Sequence, residues 1–234
     1  MTRTVRDTAA YLDAVAPGLG ALREAADTAP EPLRIGLSTS ASAATRPEKL
    51  HRDVRAALDH VAGLLGDAGH DVREVSVPYG LDAKSLTVRY LGGIATAAAD
   101  VDDPAMLERR TRQVARLGRP FGPRAVARAR RAGERFGATI HDRVGVDVLL
   151  PPVMSDVALK VGAFDGKGGL RTVLGMNAFY PYTAQWNHAG TPAVSLPVGT
   201  NKKGLPLAVQ LVARRGDDPR LMSLAAQVER LVRG

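Results

Sequence analysis

Cysteine is absent from this 234-residue chain. Its absence excludes a disulfide framework and a thiolate metal site. No apolar run is long enough to span a bilayer, and the first residues lack the basic-then-apolar order of a secretory signal. The expected setting is therefore cytoplasmic, with no membrane partner. Neither a Gly-x-Ser-x-Gly elbow nor a Ser-x-x-Lys occurs, which removes two common serine-hydrolase arrangements. The five histidines (His51, His60, His70, His141, His188) are scattered, with no two at ligand spacing along a helix, so no zinc site is expected. The stretch "GAFDGKGG" is only superficially like a phosphate loop: its first Gly is one residue off, and no Ser or Thr follows Lys167. It reads as a plain turn. No metal and no cofactor is expected.

What is present is ordinary for a globular protein: 45% hydrophobic and 24% charged residues, in a chain long enough for a sizeable core. The net charge is +8, from 32 basic and 24 acidic side chains. Such an excess can mark an anionic partner. Here it is mostly Arg interleaved with Ala, as in "RAVARARRAGERFG", and coding bias produces that pattern without any ligand. A nucleic-acid partner is not expected.

Along the chain, Thr4 to Asp7 matches a capping box ahead of Val5, Ala9, Leu12 and Ala16, a helix that Pro17-Gly18 should stop. "GLGALREAADTAPEP" reads as a loop that has room for a helical turn. "LRIGLST" (33–39) reads as a buried strand. Pro47 suits a helical first turn. Leu50, Val54, Leu58, Val61 and Leu65 recur at helical spacing, with Gly69 as the stop. "HDVREVSVP" is the next strand, so the two strands should be parallel neighbours with a right-handed crossover. Residues 81–143 pattern as helices, with "GRPFGPR" separating two Arg-rich ones. "VDVLLPP" (146–152) is a short apolar strand, and "AVSLPVG" and "LPLAVQLVAR" form a hairpin through "TNKKG". Asp218 should cap a last helix with Pro219 at its first position. The expected fold is α/β, a mixed β-sheet flanked by helices on both faces, in a single domain over 1–234.

Two single residues invite a chemical role. His188 stands beside Trp186 and could serve as a base, but the sequence identifies no nucleophile and no orienting group for it. Ser195 lies within an apolar strand, where a hydroxyl bonded inside the sheet is the usual case.

The segment "YTAQWNHAGTPAVSLPVGTNKKGLPLAVQLVARRGDDPRLMSLAAQVE" strongly resembles the C-terminal part of amidase signature enzymes, relatives of glutamyl-tRNA amidotransferase A subunits. The resemblance rests on Thr183, Asn187, Gly190, Pro192, Ala193, Ser195 and Pro197, then Gly204-Leu205-Pro206, Gln210-Leu211-Val212 and Gly216-Asp217. "DVLLPP" (147–152), the strand–helix–strand unit and the opening "MTRTVRDTAAYLDAVAPG" are similar to further family segments. Residues 81–143 fall where the family varies freely. The resemblance implies a partial amidase signature fold and a hydrolase of carboxamide C–N bonds. The family works through a Lys–Ser–Ser triad in which one Ser acylates, the middle Ser relays a proton and Lys acts as base. All three would lie upstream of the segment represented here, and Met1 matches an internal family position. No residue of this chain then inherits a catalytic role, and the chain is expected to be inactive alone.

Three readings follow, in descending order. In the first, the chain is the C-terminal portion of an amidase, and a small-molecule amide binds only once the N-terminal half is restored. Tyr180, Thr183, Gln185, Trp186 and Asn187 are then candidates for lining the substrate pocket, although for Asn187, Gly190 and Pro192 loop architecture is the stronger reading. In the second, the chain is a stand-alone non-catalytic subunit, a homo-oligomer or one pairing with a separately encoded half, because the missing strands should leave an open sheet edge. In the third, it is a basic nucleic-acid-binding module.

Overall fold

The computed structural model describes residues 2–42, 49–80 and 82–233. Pro47 and Met1 lie outside the described residues. Strand β1 (Arg34–Leu37) and strand β2 (Asp71–Glu74) are parallel neighbours joined by helix α3 (Arg52–Asp67), as the sequence pattern requires. Helix α3 buries Val54, Ala57, Leu58, Val61 and Leu65, one face at three- and four-residue steps. His51 caps it, its Nδ1 accepting from the Asp53 amide at 3.2 Å, and Gly69 leaves it at φ 93°. Strand β3 (Val148–Leu150) adds to the other side of β1, also parallel. Strands β4 (Ala193–Thr200) and β5 (Pro206–Ala213) form the expected hairpin, and β5 joins β3 antiparallel. The hairpin turn is held by Asn201, whose Oδ1 accepts from the amides of Lys203 and Leu205 at 2.9 and 3.0 Å. The sheet is thus mixed, in the order β2-β1-β3-β5-β4.

Alternation along the strands divides the core into two layers. Ile35, Leu37, Val148, Leu150, Val209 and Leu211 face one layer, against helices α1 (Val5–Val15), α2 (Leu22–Asp27), α3 and α9 (Asp218–Arg233). Leu149 and Val212 face the other layer, with Tyr79, Phe136, Ile140 and Trp186. Helix α1 starts as its sequence predicts: Thr4 Oγ1 accepts from the Asp7 amide at 3.0 Å. A long-range partner adds to it, since the Val5 amide donates to the Glu229 carboxylate of α9 at 3.3 Å. The loop expected after α1 contains α2, six helical residues where the sequence allows for a turn. Asp13 makes it possible by accepting from the Leu22 and Arg23 amides at 2.8 and 2.9 Å, the cap that α2's own sequence lacks. Helix α9 begins at Asp218 rather than Pro219, so Asp217 takes the position before it and accepts from the Leu221 amide through its carbonyl at 3.0 Å.

The second layer carries α4 (Asp82–Ala99), α5 (Arg109–Gly118), α6 (Pro123–Val144), α7 (Gly169–Phe179) and α8 (Ala184–Ala189). The break at "GRPFGPR" separates α5 from α6, as expected. Helix α7 extends beyond the turn expected here. The turn read through "FDGKGGLR" ends at Gly168, and Gly169, Leu170 and Arg171 are already helical. A Cβ at Gly169 would meet the Arg110 carbonyl oxygen and Gln113 at 3.0 Å, so a glycine there lets α7 start directly against α5. At the sheet's far side β4 is terminal in the strand order and exposes Ala193, Ser195, Pro197 and Gly199.

Candidate functional site

Helix α8 is set by what lies beneath it. Tyr79, Phe136 and Trp186 form an aromatic trio with ring centroids 5.9 to 6.4 Å apart, and Trp186 is 2% exposed. Such rings combine large burial with a modest extra attraction. Gly133 and Gly137, one turn apart on α6, let the α8 backbone lie directly on α6. A Cβ at Gly137 would sit 2.5 Å from the Ala189 carbonyl oxygen, and one at Gly133 would collide with that of His188. From above, α4 holds the same helix. Ser85 Oγ and His188 Nε2 are 2.8 Å apart, and Arg89 Nη1 donates to the His188 carbonyl at 2.7 Å. Gln185 Nε2 donates to the Tyr79 hydroxyl at 3.4 Å, and that hydroxyl donates to the Ser40 carbonyl at 3.2 Å. Burial pushes the Tyr79 pKa up, so this hydroxyl stays protonated and donating.

Over this platform, α4, α5, α7 and α8 leave an apolar groove of about 220 Å³. Helix α4 contributes Leu86, Tyr90 and Leu91, and α5 contributes Leu117. Helix α7 contributes Leu170, Val173, Leu174 and Asn177, one helical stripe that continues to Tyr180 just past its end. Ala184 of α8 closes it. Leu170 and Leu174 are 58% and 53% exposed, so the groove opens to solvent. Its side chains include no carboxylate, ammonium, guanidinium or imidazole. The Tyr180 hydroxyl has its pKa raised, first by burial and then by its neighbour Tyr90, so it is neutral at ordinary pH. Walls of this kind can enclose an apolar group, and beside the Thr87 hydroxyl they place no base that could activate it.

Of the five residues singled out from sequence, Tyr180 lines the groove. Thr183 is half-buried just before α8, its carbonyl accepting from the Trp186 amide at 3.2 Å. Gln185 and Trp186 are buried at 4% and 2% exposure, facing Tyr79 and Phe136 rather than the groove. Asn187 is exposed. The sequence reading passed over the α4 and α7 liners. For α7 a signal existed: Leu170, Val173, Leu174, Asn177 and Tyr180 follow helical spacing. Among the described residues no group of three or more His, Cys, Asp or Glu could hold a metal ion, and no helix is long and apolar enough to cross a membrane.

The Amidase family model matches residues 1–222. AmiB2, an amidase-family protein of Mycobacterium tuberculosis, is 36% identical over 235 residues, covering 98% of this chain and 50% of that protein. The 6-aminohexanoate-cyclic-dimer hydrolase of Pseudomonas sp. is 28% identical over 264 residues, covering 97% of this chain and 52% of that one. A solved structure of 6-aminohexanoate cyclic dimer hydrolase with substrate superposes with a TM-score of 0.75 at 24% identity, over 99% of this chain and 54% of that chain. The chain spans about half the length of the curated relatives it matches.

Proposed function

The chain belongs to the amidase family, and we propose that it is the C-terminal, substrate-enclosing half of an amidase that hydrolyses carboxamide C–N bonds. The observation that carries this reading is the family match over residues 1–222 together with half-length coverage of the relatives. In it the groove between α4 and α7 receives the acyl part of the amide, with Tyr180 on its wall. Thr183, Gln185 and Trp186 act by fixing α8, which presents Ala184, and Asn187 stands exposed on that helix. The nucleophile, its base and the oxyanion donors come from the other half, because amide hydrolysis needs all three together and the groove's walls hold no carboxylate, amine or imidazole to activate a nucleophile. Both apolar layers share one sheet, which supports treating 1–234 as one domain. The lack of cysteine fits a cytoplasmic setting.

The exposed face of β4 favours a second, related reading in which a separately encoded half, or a second copy, covers that side of the sheet. One experiment addresses both. The chain is purified alone and after co-expression with the N-terminal half of AmiB2. Mass is measured by light scattering, and ammonia release from propanamide and benzamide is followed. The expected result is no turnover by the chain alone and turnover by a one-to-one complex. Turnover by the chain alone would refute the assignment of catalysis to the other half, and an inactive but well-formed complex would refute the amidase reading.

A further inference from the structure

We propose that the groove selects an uncharged, apolar acyl group and takes up about as much of it as a benzene ring bearing one or two carbons, or an alkyl chain of about six carbons. This rests on the amidase reading for the word acyl, while the selectivity itself rests on the groove.

Size comes first. An apolar cavity of about 150 Å³ is enough to hold benzene, and this groove measures about 220 Å³. The difference leaves room for a substituent of one or two carbons on a ring, or for a short extended chain. Charge comes second. A carboxylate or ammonium in the groove would shed water and meet no ion of opposite sign, since the lining holds no Asp, Glu, Lys, Arg or His and burial keeps the Tyr180 hydroxyl protonated. Arg89 is the nearest cation by sequence on α4, and its guanidinium already donates to the His188 carbonyl. Shape comes third. Leu170, Val173 and Leu174 form one wall, Leu86 and Leu91 the other, and Leu117 the end contributed by α5. Polar atoms are confined to Thr87, Asn177 and the hydroxyls of Tyr90 and Tyr180. A ligand aligned with its amide toward that polar group and its hydrocarbon toward the leucines satisfies both.

The test reads binding without turnover, so it does not depend on the other half. Saturation-transfer NMR with the full chain measures affinities for propanamide, butanamide, pentanamide, hexanamide, benzamide, dodecanamide, 6-aminohexanamide and adipamic acid. Affinity is expected to rise about fourfold per methylene from propanamide to hexanamide. Benzamide should fall near hexanamide, and dodecanamide should gain nothing further. The ammonium of 6-aminohexanamide and the carboxylate of adipamic acid should each weaken binding at least tenfold against hexanamide. Leu174→Asp and Leu117→Asp, at positions 53% and 44% exposed, should weaken hexanamide at least tenfold with unchanged circular dichroism. Charged amides binding as well as hexanamide, absence of a chain-length trend, or aspartate variants that bind normally would each overturn the proposal. If selectivity holds and the reconstituted complex is inactive, the amidase reading fails and the groove's selectivity stands.

Discussion

Replacing Gly137 by alanine should destabilise the protein although alanine is the better helix former. A Cβ at this position on α6 lies 2.5 Å from the Ala189 carbonyl oxygen and 3.1 Å from its Cβ. The first distance is about 1 Å short of an ordinary nonbonded separation. The obstacle is backbone, so no rotamer change relieves it. Helix α8 must lift off α6, and Trp186, stacked 6.4 Å from Phe136, must move with it. Overpacking of this kind costs up to about 3 kcal/mol, against which the helical preference of Ala over Gly returns about 1 kcal/mol. The net expectation is a loss of about 2 kcal/mol. In a chain of 234 residues that is roughly 4–8 °C in melting temperature. The matched control is Gly63→Ala on α3, where a Cβ meets nothing within 4 Å; there the substitution should stabilise by about 0.5–1 kcal/mol. Both are measured by urea unfolding followed through Trp186, the one tryptophan in the chain. If Gly137→Ala stabilises as much as Gly63→Ala does, the close docking of α8 on α6 is wrong, and the groove wall built on it falls too.

Two further perturbations probe the supports of the sheet and of the site. Asp147 receives the Arg34 side chain at 2.7 and 3.1 Å and its backbone amide at 3.0 Å, which lowers its pKa to about 2. A depressed carboxylate stabilises the fold above the unfolded-state pKa of about 4 and loses that contribution as pH falls through the folded value. Stability should therefore drop between about pH 4 and pH 2, and Asp147→Asn should lower stability at pH 7 while flattening that acid limb; an unchanged acid limb in denaturant midpoints taken at each pH counts against the clamp. Trp186→Ala should cost about 3–5 kcal/mol, read by circular dichroism. In the variant that remains folded at low temperature, the rank order of amide binding should be kept, because Trp186 supports α8 and does not line the groove; a reordered amide preference would return it to the pocket.

Legibility in the sequence followed the range of the forces involved. The β1–α3–β2 unit could be read because its signals are local: an apolar strand precedes a 3.6-residue apolar repeat that ends at a glycine. The hairpin was equally local, with Asn201 and Gly204 making its turn. Helix α2 was missed because its cap comes from Asp13 of another helix, and α7 because two glycines mask a start that the α5 surface imposes. The site divides in the same way. Trp186, Asn187 and Gly190 catch the eye as rare or motif residues, yet Trp186 is buried in an aromatic trio and Gly190 is the left-handed cap that ends α8, at φ 68°. The groove is made instead by leucines and tyrosines spread from position 86 to position 180, brought together by the packing of α4, α5 and α7. Half-exposed leucines on an otherwise ordinary helix show no contrast in a linear pattern, since scattered apolar residues on a surface are normal. They become informative only once three helices put them on one concave surface. In this chain the conspicuous residues mainly hold α8 in place, and the inconspicuous ones line the groove; on the proposed reading, substitutions at Leu117 and Leu174 should alter amide selectivity, and substitution at Trp186 should alter stability.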